Sequence, residues 1–255
     1  MELRRNPFKA AIGRMQRQVG LWVTLSDTLA VEMMATLGYD WLLLDTEHSP
    51  LDPILILPLL QAVAPYPSHP IVRPSCLDPA EIKKLLDLGA QTILIPMVNS
   101  AEEARLAVAS VTYPPAGIRG VSGSTRASGF GAVQGYHARA SEEICLLVQV
   151  ETVAALERIE DIAAVPGVDG LFVGPADLAA SLGYPGQPGH PEVRAAVCDA
   201  IRRIRAAGKP AGVLAVDPVL LAETVEAGAV FVSGEVDLGV LKRALVAGQG
   251  LALKA

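Results

Sequence analysis

The sequence predicts a single domain folded as a (β/α)8 barrel, on three observations. Short apolar runs alternate with helix-length amphipathic segments along nearly all of the 255 residues, the pattern of βα units around a parallel sheet. The apolar runs number eight. Several are apolar at consecutive positions, as in Trp41-Leu42-Leu43-Leu44 and Ile93-Leu94-Ile95, which suits strands covered on both faces. A closed barrel is favoured over an open doubly wound sheet for two reasons. No G-x-G-x-x-G turn follows the first run, and polar residues recur at many strand ends rather than at one switch point.

In order, the expected strands are Val19 to Leu25, Trp41 to Asp45, Pro70 to Arg73, Thr92 to Pro96, Ile144 to Glu151, Gly170 to Gly174, Ala211 to Ala215 and Val230 to Ser233. Among the helices, Asp78-Pro79-Ala80-Glu81 combines an N-cap Asp, a Pro at the first helical position and a Glu three residues after the cap; Ile82, Leu85 and Leu86 then line one face. A later helix spaces Val193, Val197, Ile201 and Ile204 by helical turns, with Gly208 placed to stop it. Pro58 is expected to kink or shorten the helix after the second strand. Gly117 to Gly135 carries six glycines and no clear period, and reads as a long functional or mobile loop.

Composition narrows the partners. With 27 acidic and 21 basic residues the formal charge is −6, and no cluster of Lys or Arg interleaves with the few aromatics, so nucleic acid and anionic membrane are excluded as expected partners. Met1 to Ala11 carries Arg4, Arg5 and Lys9 without a following apolar segment, unlike a signal peptide. Leu51 to Pro67 is apolar but interrupted by Asp52, Pro53, Pro58 and Pro65, which argues against a membrane span. A soluble cytoplasmic protein is the expectation. Cys76, Cys145 and Cys198 are widely spaced, with no C-x-x-C pattern, and read as ordinary packed or surface thiols.

In a barrel of this kind reactive groups gather at the C-terminal ends of the strands. The second strand ends in Asp45-Thr46-Glu47-His48, the third in Arg73, the fifth in Gln149-Val150-Glu151, and the sixth runs through Gly174-Pro175-Ala176 to Asp177. Gln149 and Glu151, two apart, share a face. Glu151 and Asp177 come from neighbouring strands and can converge. Two buried carboxylates call for a cation, and oxygen ligands with water or substrate completing the shell suit Mg2+ or Mn2+, with Co2+ or Zn2+ as further options. The same two residue types also occur as surface or helix-capping acids. Asp45 and His48 could form a general acid/base pair, the carboxylate orienting the imidazole, or could be a capping Asp beside an exposed His. Arg73, held by the following Pro74, could bind a carboxylate or a developing oxyanion, or form a structural salt bridge to Asp45 or Glu47. His69, His137 and His190 fall in predicted loops and are expected to face solvent. None of the six lysines, Lys9, Lys83, Lys84, Lys209, Lys242 and Lys254, falls at a strand end where a Schiff base would form.

Taken together, Asn6-Pro7-Phe8-Lys9, Gly20-Leu21-Trp22, Asp40 to His48, Val72-Arg73-Pro74-Ser75, the PPAGIRG segment within Tyr113 to Gly120, Val148 to Thr152 and Gly174 to Leu178 resemble, in order and over nearly the whole chain, the class II pyruvate aldolases of the HpcH/HpaI family. The resemblance implies a TIM barrel in which Glu151 and Asp177 ligate a divalent metal, with pyruvate bound through its carboxylate and keto oxygens. Gly174, Pro175 and Ala176 would contact the pyruvate carboxylate. Arg73 would stabilise the enolate oxygen, Asp45 and His48 would handle the proton on the aldehyde-derived hydroxyl, and Gln149 would support the metal network. Trp22, Val121, Phe172 and Leu214 would wall the aldehyde side. Asp87 would reach a neighbouring subunit's site, and the last helix would swap between subunits of a hexamer. Thr46 stands where the best-known member of the family has Gly, and Ser122 to Gly135 does not follow that member's sequence closely, which leaves the aldehyde open. The expected reaction is reversible cleavage of a 4-hydroxy-2-oxo acid to pyruvate and an aldehyde. An oxaloacetate decarboxylase or other lyase using the same enolate, and a non-catalytic oxo-acid-binding barrel, are the alternatives.

Overall fold

In the computed structural model, which describes residues 1–252, a short helix precedes the first strand and eight parallel strands close on themselves, β1 pairing with both β2 and β8. The chain runs α1 (Pro7–Gly13), β1 (Gln18–Val23), α2 (Thr28–Ala35), β2 (Trp41–Asp45), α3 (Pro53–Val63), β3 (His69–Arg73), α4 (Pro79–Asp87), β4 (Thr92–Ile95) and α5 (Ala101–Val111). It continues through α6 (Tyr136–Glu143), β5 (Cys145–Val150), α7 (Val153–Leu156), α8 (Ile159–Ala163), β6 (Gly170–Val173), α9 (Pro175–Ser181) and α10 (Pro191–Ala206). Last come β7 (Ala211–Leu214), α11 (Pro218–Glu226), β8 (Phe231–Val236) and α12 (Asp237–Ala252). All eight expected strands are present, within a few residues of the expected ends. Among the described residues no helix is long and apolar enough to cross a membrane.

Alternation along the strands divides the apolar residues into two cores. Leu42, Leu44, Ile93, Ile95, Leu146, Val148 and Val150 face outward to the helices, whereas Trp41, Leu43, Ile71, Leu94, Leu147, Phe172 and Phe231 fill the barrel interior. Space inside is tight enough that two strand positions must be glycine. A Cβ on Gly20 would lie 2.0 Å from the Trp41 ring, and one on Gly212 would lie 2.1 Å from the ring of Phe231. Helix α1 seals the N-terminal end of the barrel. Asn6 caps it and donates to Thr92 Oγ1 at 3.0 Å, while Phe8 and Ile12 join the interior core, each burial worth roughly 1.5–3 kcal/mol.

That plug corrects one expectation. His69 begins β3 and points into the closed end, buried against Phe8 with its ring stacked at 5.8 Å and Nε2 at 2.7 Å from Thr92 Oγ1. Burial, with the nearby Arg4 charge, pushes its pKa down to about 3, so it is a neutral core histidine. His137 and His190 are half-buried in local contacts: His137 Nε2 lies 3.1 Å from Ser122 O, and His190 caps α10 against the Tyr184 ring. Cys76 is exposed, and Cys145 and Cys198 are buried free thiols.

The capping signals are realised with one change. Asp78 caps α4 through Ala80 N and Glu81 N, but Glu81 does not complete a box; it accepts instead from Ser75 N at 3.0 Å, from the Ser75 hydroxyl and from Thr46 Oγ1. The third residue after the cap thus braces the loop after β3, beside Arg73. Helix α3 runs through Pro58 as one element, and α10 ends before Gly208 at φ +79°. The glycine-rich stretch contains one short 3-10 turn, Arg126–Ser128, and leaves the barrel on the side opposite the strand C-termini, because it follows α5. Arg119 to Asp87 at 3.1 Å and Arg126 Nη1 to Leu88 O at 2.8 Å dock it against the end of α4.

Candidate active site

The parity that buries Trp41 and Leu43 also turns Asp45 inward at the end of β2, and the register sets Asp45 directly beside Arg73 of β3. Arg73 donates from Nε to Asp45 Oδ1 at 2.8 Å and from Nη2 to Oδ2 at 2.7 Å, a bidentate pair, while Nη1 meets Glu47 Oε2 at 2.6 Å. Trp22 Nε1 donates to Asp45 Oδ2 at 3.1 Å, and its ring lies under the guanidinium, 4.8 Å from ring centroid to Cζ. Thr46, which stands where the best-known family member has Gly, donates its hydroxyl to Arg73 O at 2.7 Å and ties the two strand ends together. Burial would raise the Asp45 carboxyl, but the Arg73 hydrogen bonds and charge, with the Glu47 N–H, outweigh it and hold the pKa below the usual value.

The ring pairing expected between Asp45 and His48 is absent. Asp45 has its oxygens committed to Arg73, Trp22 and the backbone N–H groups of Glu47 and His48, so it meets His48 through its main chain. The His48 side chain is 65% exposed at the rim, and its nearest carboxylate is Glu47, Nε2 to Oε1 at 4.0 Å. Glu47 was legible only as a salt-bridge option for Arg73. Burial, despite the charges of Arg73 and His48, leaves its pKa raised.

Glu151 follows β5 and is fully buried, held by Met97 N to Oε1 at 2.7 Å and by the amide of Gln149 on Oε2. Met97 adopts φ +54°, a left-handed conformation rare for a side-chain-bearing residue, and this turns its N–H onto the carboxylate. Gly174 supplies the space: a Cβ there would lie 2.4 Å from Glu151 Oε2 and 2.9 Å from Gln149 Nε2. Asp177 sits in the first turn of α9 and, with Gln149, lines the cavity at the mouth of the barrel. Burial first, then the charges of Asp177 and Glu47, raise the Glu151 pKa to about 7, against the stabilising Met97 and Gln149 hydrogen bonds. Gln149 lines the cavity, and its buried Oε1 has no hydrogen-bond partner. This donor set fits a hard divalent cation: two mutually repelling carboxylates, and an unpaired amide oxygen able to accept from a water on the ion. Among the described residues no cluster of three or more His, Cys, Asp or Glu could hold a metal ion, so an ion held by these two carboxylates would take its other ligands from water or substrate.

The cavity holds about 360 Å³ and collects Trp22, Asp45, His48, Arg73, Gln149, Phe172, Gly174, Pro175, Ala176, Asp177 and Leu214. No lysine lines it, and Lys254 lies outside the described residues. Val121 is not brought there; it is 64% exposed on the glycine-rich loop. Asp87 is likewise remote within this chain, paired with Arg119. The lining also includes Thr24, Pro188, Val216, Asp217 and Val236, which sequence reading did not assign. Asp217-Pro218 was visible as a helix-start signal, but nothing in it pointed to the cavity.

The family model for HpcH/HpaI aldolase/citrate lyase matches residues 18–244. The chain belongs to this family. A hydroxypyruvate/pyruvate aldolase from Sagittula stellata is 57% identical over 97% of this chain and 98% of its own. A 4-hydroxy-2-oxo-heptane-1,7-dioate aldolase from Escherichia coli is 50% identical over 94% of this chain and 92% of its own. The crystal structure of a family member from Burkholderia cenocepacia superposes with a TM-score of 0.93 at 37% identity, covering 97% of this chain and 99% of that one. Family membership and the superposition therefore agree with the barrel.

Proposed function

We propose that this chain is a divalent-metal-dependent aldolase that reversibly cleaves 4-hydroxy-2-oxo acids to pyruvate, or a close 2-oxo acid, and an aldehyde. The observation that carries the reading is a cavity lined by Asp177 and a pinned Arg73, and by no lysine among the described residues, with the buried Glu151 behind Gln149 and close enough to feel the Asp177 charge. Glu151 and Asp177 would hold Mg2+ or Mn2+, with Co2+ or Zn2+ also suited, and such a cation supplies Lewis acidity at the keto oxygen.

The chain's own groups do the rest. The start of α9 presents the unpaired N–H groups of Ala176 and Asp177 to the substrate carboxylate, beside Gly174 and Pro175. Arg73, oriented by Asp45 and Glu47, keeps N–H donors on Nη1 and Nη2 for the oxygen that gains charge as the enolate forms. His48 at the rim takes the proton from the 4-hydroxyl in cleavage and returns it in condensation, with Glu47 rather than Asp45 beside its ring. Gln149 steadies Glu151, and Trp22, Phe172 and Leu214 wall the aldehyde side. A homo-oligomer, a hexamer with α12 exchanged between subunits, is supported by the exposed Leu238, Leu241, Leu245 and Val246 along that helix; Asp87 and Val121 would then serve a neighbour's cavity.

Exchange of the pyruvate methyl protons in deuterated water with Mg2+ or Mn2+ tests the enolate, and pyruvate release from 4-hydroxy-2-oxo acids tests the cleavage. No exchange with any divalent metal would overturn the reading, and release from oxaloacetate alone would replace the aldolase with a decarboxylase.

A further inference from the structure

We propose that Asp217 sets the class of acceptor aldehyde, favouring uncharged hydroxylated aldehydes over those that end in a carboxylate; this rests on the aldolase reading above. Asp217 lies at the outer end of the cavity, where the chain leaves β7 for α11. One oxygen is used structurally: Oδ1 accepts from Val219 N at 2.7 Å and Leu220 N at 3.1 Å, capping the helix. The other faces across the mouth. Oδ2 lies 3.4 Å from where a Cβ on Gly189 would stand, under the Pro188–Gly189 segment, and no side chain among the described residues donates to it.

The surroundings give that oxygen its influence. Leu214, Val216, Leu220, Val236 and Pro188 around it are apolar, and the hydroxyl of Thr24 is already donated to Asp237 Oδ1. Arg73, the lining guanidinium, already has its charge offset by Asp45 and Glu47, and its remaining N–H donors serve the enolate oxygen in the reading above. Arg194 feels the Asp217 charge but is itself bound to Glu223. An acceptor's terminal carboxylate would therefore meet a like charge with no arginine or lysine of this cavity free to receive it, whereas a hydroxyl would find an acceptor oxygen. Asp217 is exposed to solvent, so screening limits the repulsion, and like charges several ångströms apart at such a rim change a rate constant roughly two- to fivefold.

The test compares wild type with Asp217→Asn, which keeps a side-chain oxygen for the helix cap. Rate constants kcat/KM are measured with pyruvate, Mg2+ and two acceptor pairs, 4-oxobutanoate against butanal and glycolaldehyde against ethanal. The variant is expected to raise the 4-oxobutanoate/butanal ratio about two- to fivefold, to lower the glycolaldehyde/ethanal ratio, and to weaken the salt dependence of the first. Unchanged ratios in an enzyme that still exchanges pyruvate protons would overturn the role of Asp217 alone. No exchange in the wild type would overturn the aldolase reading and this proposal with it.

Discussion

At the inner end of the cavity Asp45, Arg73, Gln149 and Glu151 stand on or directly after β2, β3 and β5, and each is gripped by a neighbouring side chain or main-chain N–H. At the outer end Pro188, Val216 and Asp217 come from connecting segments, and apolar contact predominates. Strand-borne groups in a closed sheet move little, so the inner end can hold charge against charge in fixed geometry. Connecting segments tolerate change, so the outer end can alter which aldehyde is taken without disturbing enolate formation. The glycines divide in the same way: Gly174 sits within contact distance of a carboxylate, whereas Gly186 and Gly183 of the mouth connection meet nothing.

The largest expected effect lies at the inner end. Arg73→Ala or Asp177→Ala should lower both pyruvate proton exchange and aldol cleavage by on the order of a thousandfold or more. Because Arg73→Ala also leaves Asp45 and Glu47 buried without their cation, its thermal midpoint is measured alongside. An effect confined to one aldehyde would erase the distinction between the two ends. His48→Ala should slow cleavage and condensation by about a hundredfold while slowing oxaloacetate decarboxylation much less; equal impairment of both would remove His48 from the hydroxyl proton. Gly174→Ala, which drives a methyl group into Glu151, should weaken Mn2+ binding roughly ten- to a hundredfold by calorimetry in a chain that still folds.

The smallest effect is a pH dependence of stability. Glu151 titrates near 7 in the folded chain and near the ordinary 4.5 when unfolded. A raised acid favours folding fully below its unfolded value and loses that contribution as pH rises through its folded value. In chelator, the wild type should therefore lose several degrees of thermal midpoint relative to Glu151→Gln between pH 4.5 and 7.5, followed by scanning calorimetry. Mn2+ should restore the loss in the wild type only.

Much of the inner end was readable because strand ends in a parallel barrel are marked by the residue after an apolar run: Asp45 after Trp41 to Leu44, Arg73 after Val72, Gln149 and Glu151 on one parity. What could not be read was pairing. Arg73 against Asp45 was one of two options until the β2–β3 register set the two side by side, and that pairing removed Asp45 from the His48 ring. His69 looked like a loop residue because Pro67 and Pro70 flank it; the plug formed by Phe8 buried it. Asp217 received no reading from sequence, because the surroundings of its second oxygen come from a segment distant in the chain.

The local order of apolar runs, caps and breakers was enough to determine eight βα units and the residues at their ends, since strand and helix periods are properties of a few neighbouring positions. Only closure of the barrel decided which of those ends share a cavity, how the arginine divides its donors between Asp45 and Glu47, and which glycines must lack a side chain. These depend on contacts between residues far apart in sequence, where a single parity or register step exchanges one partner for another.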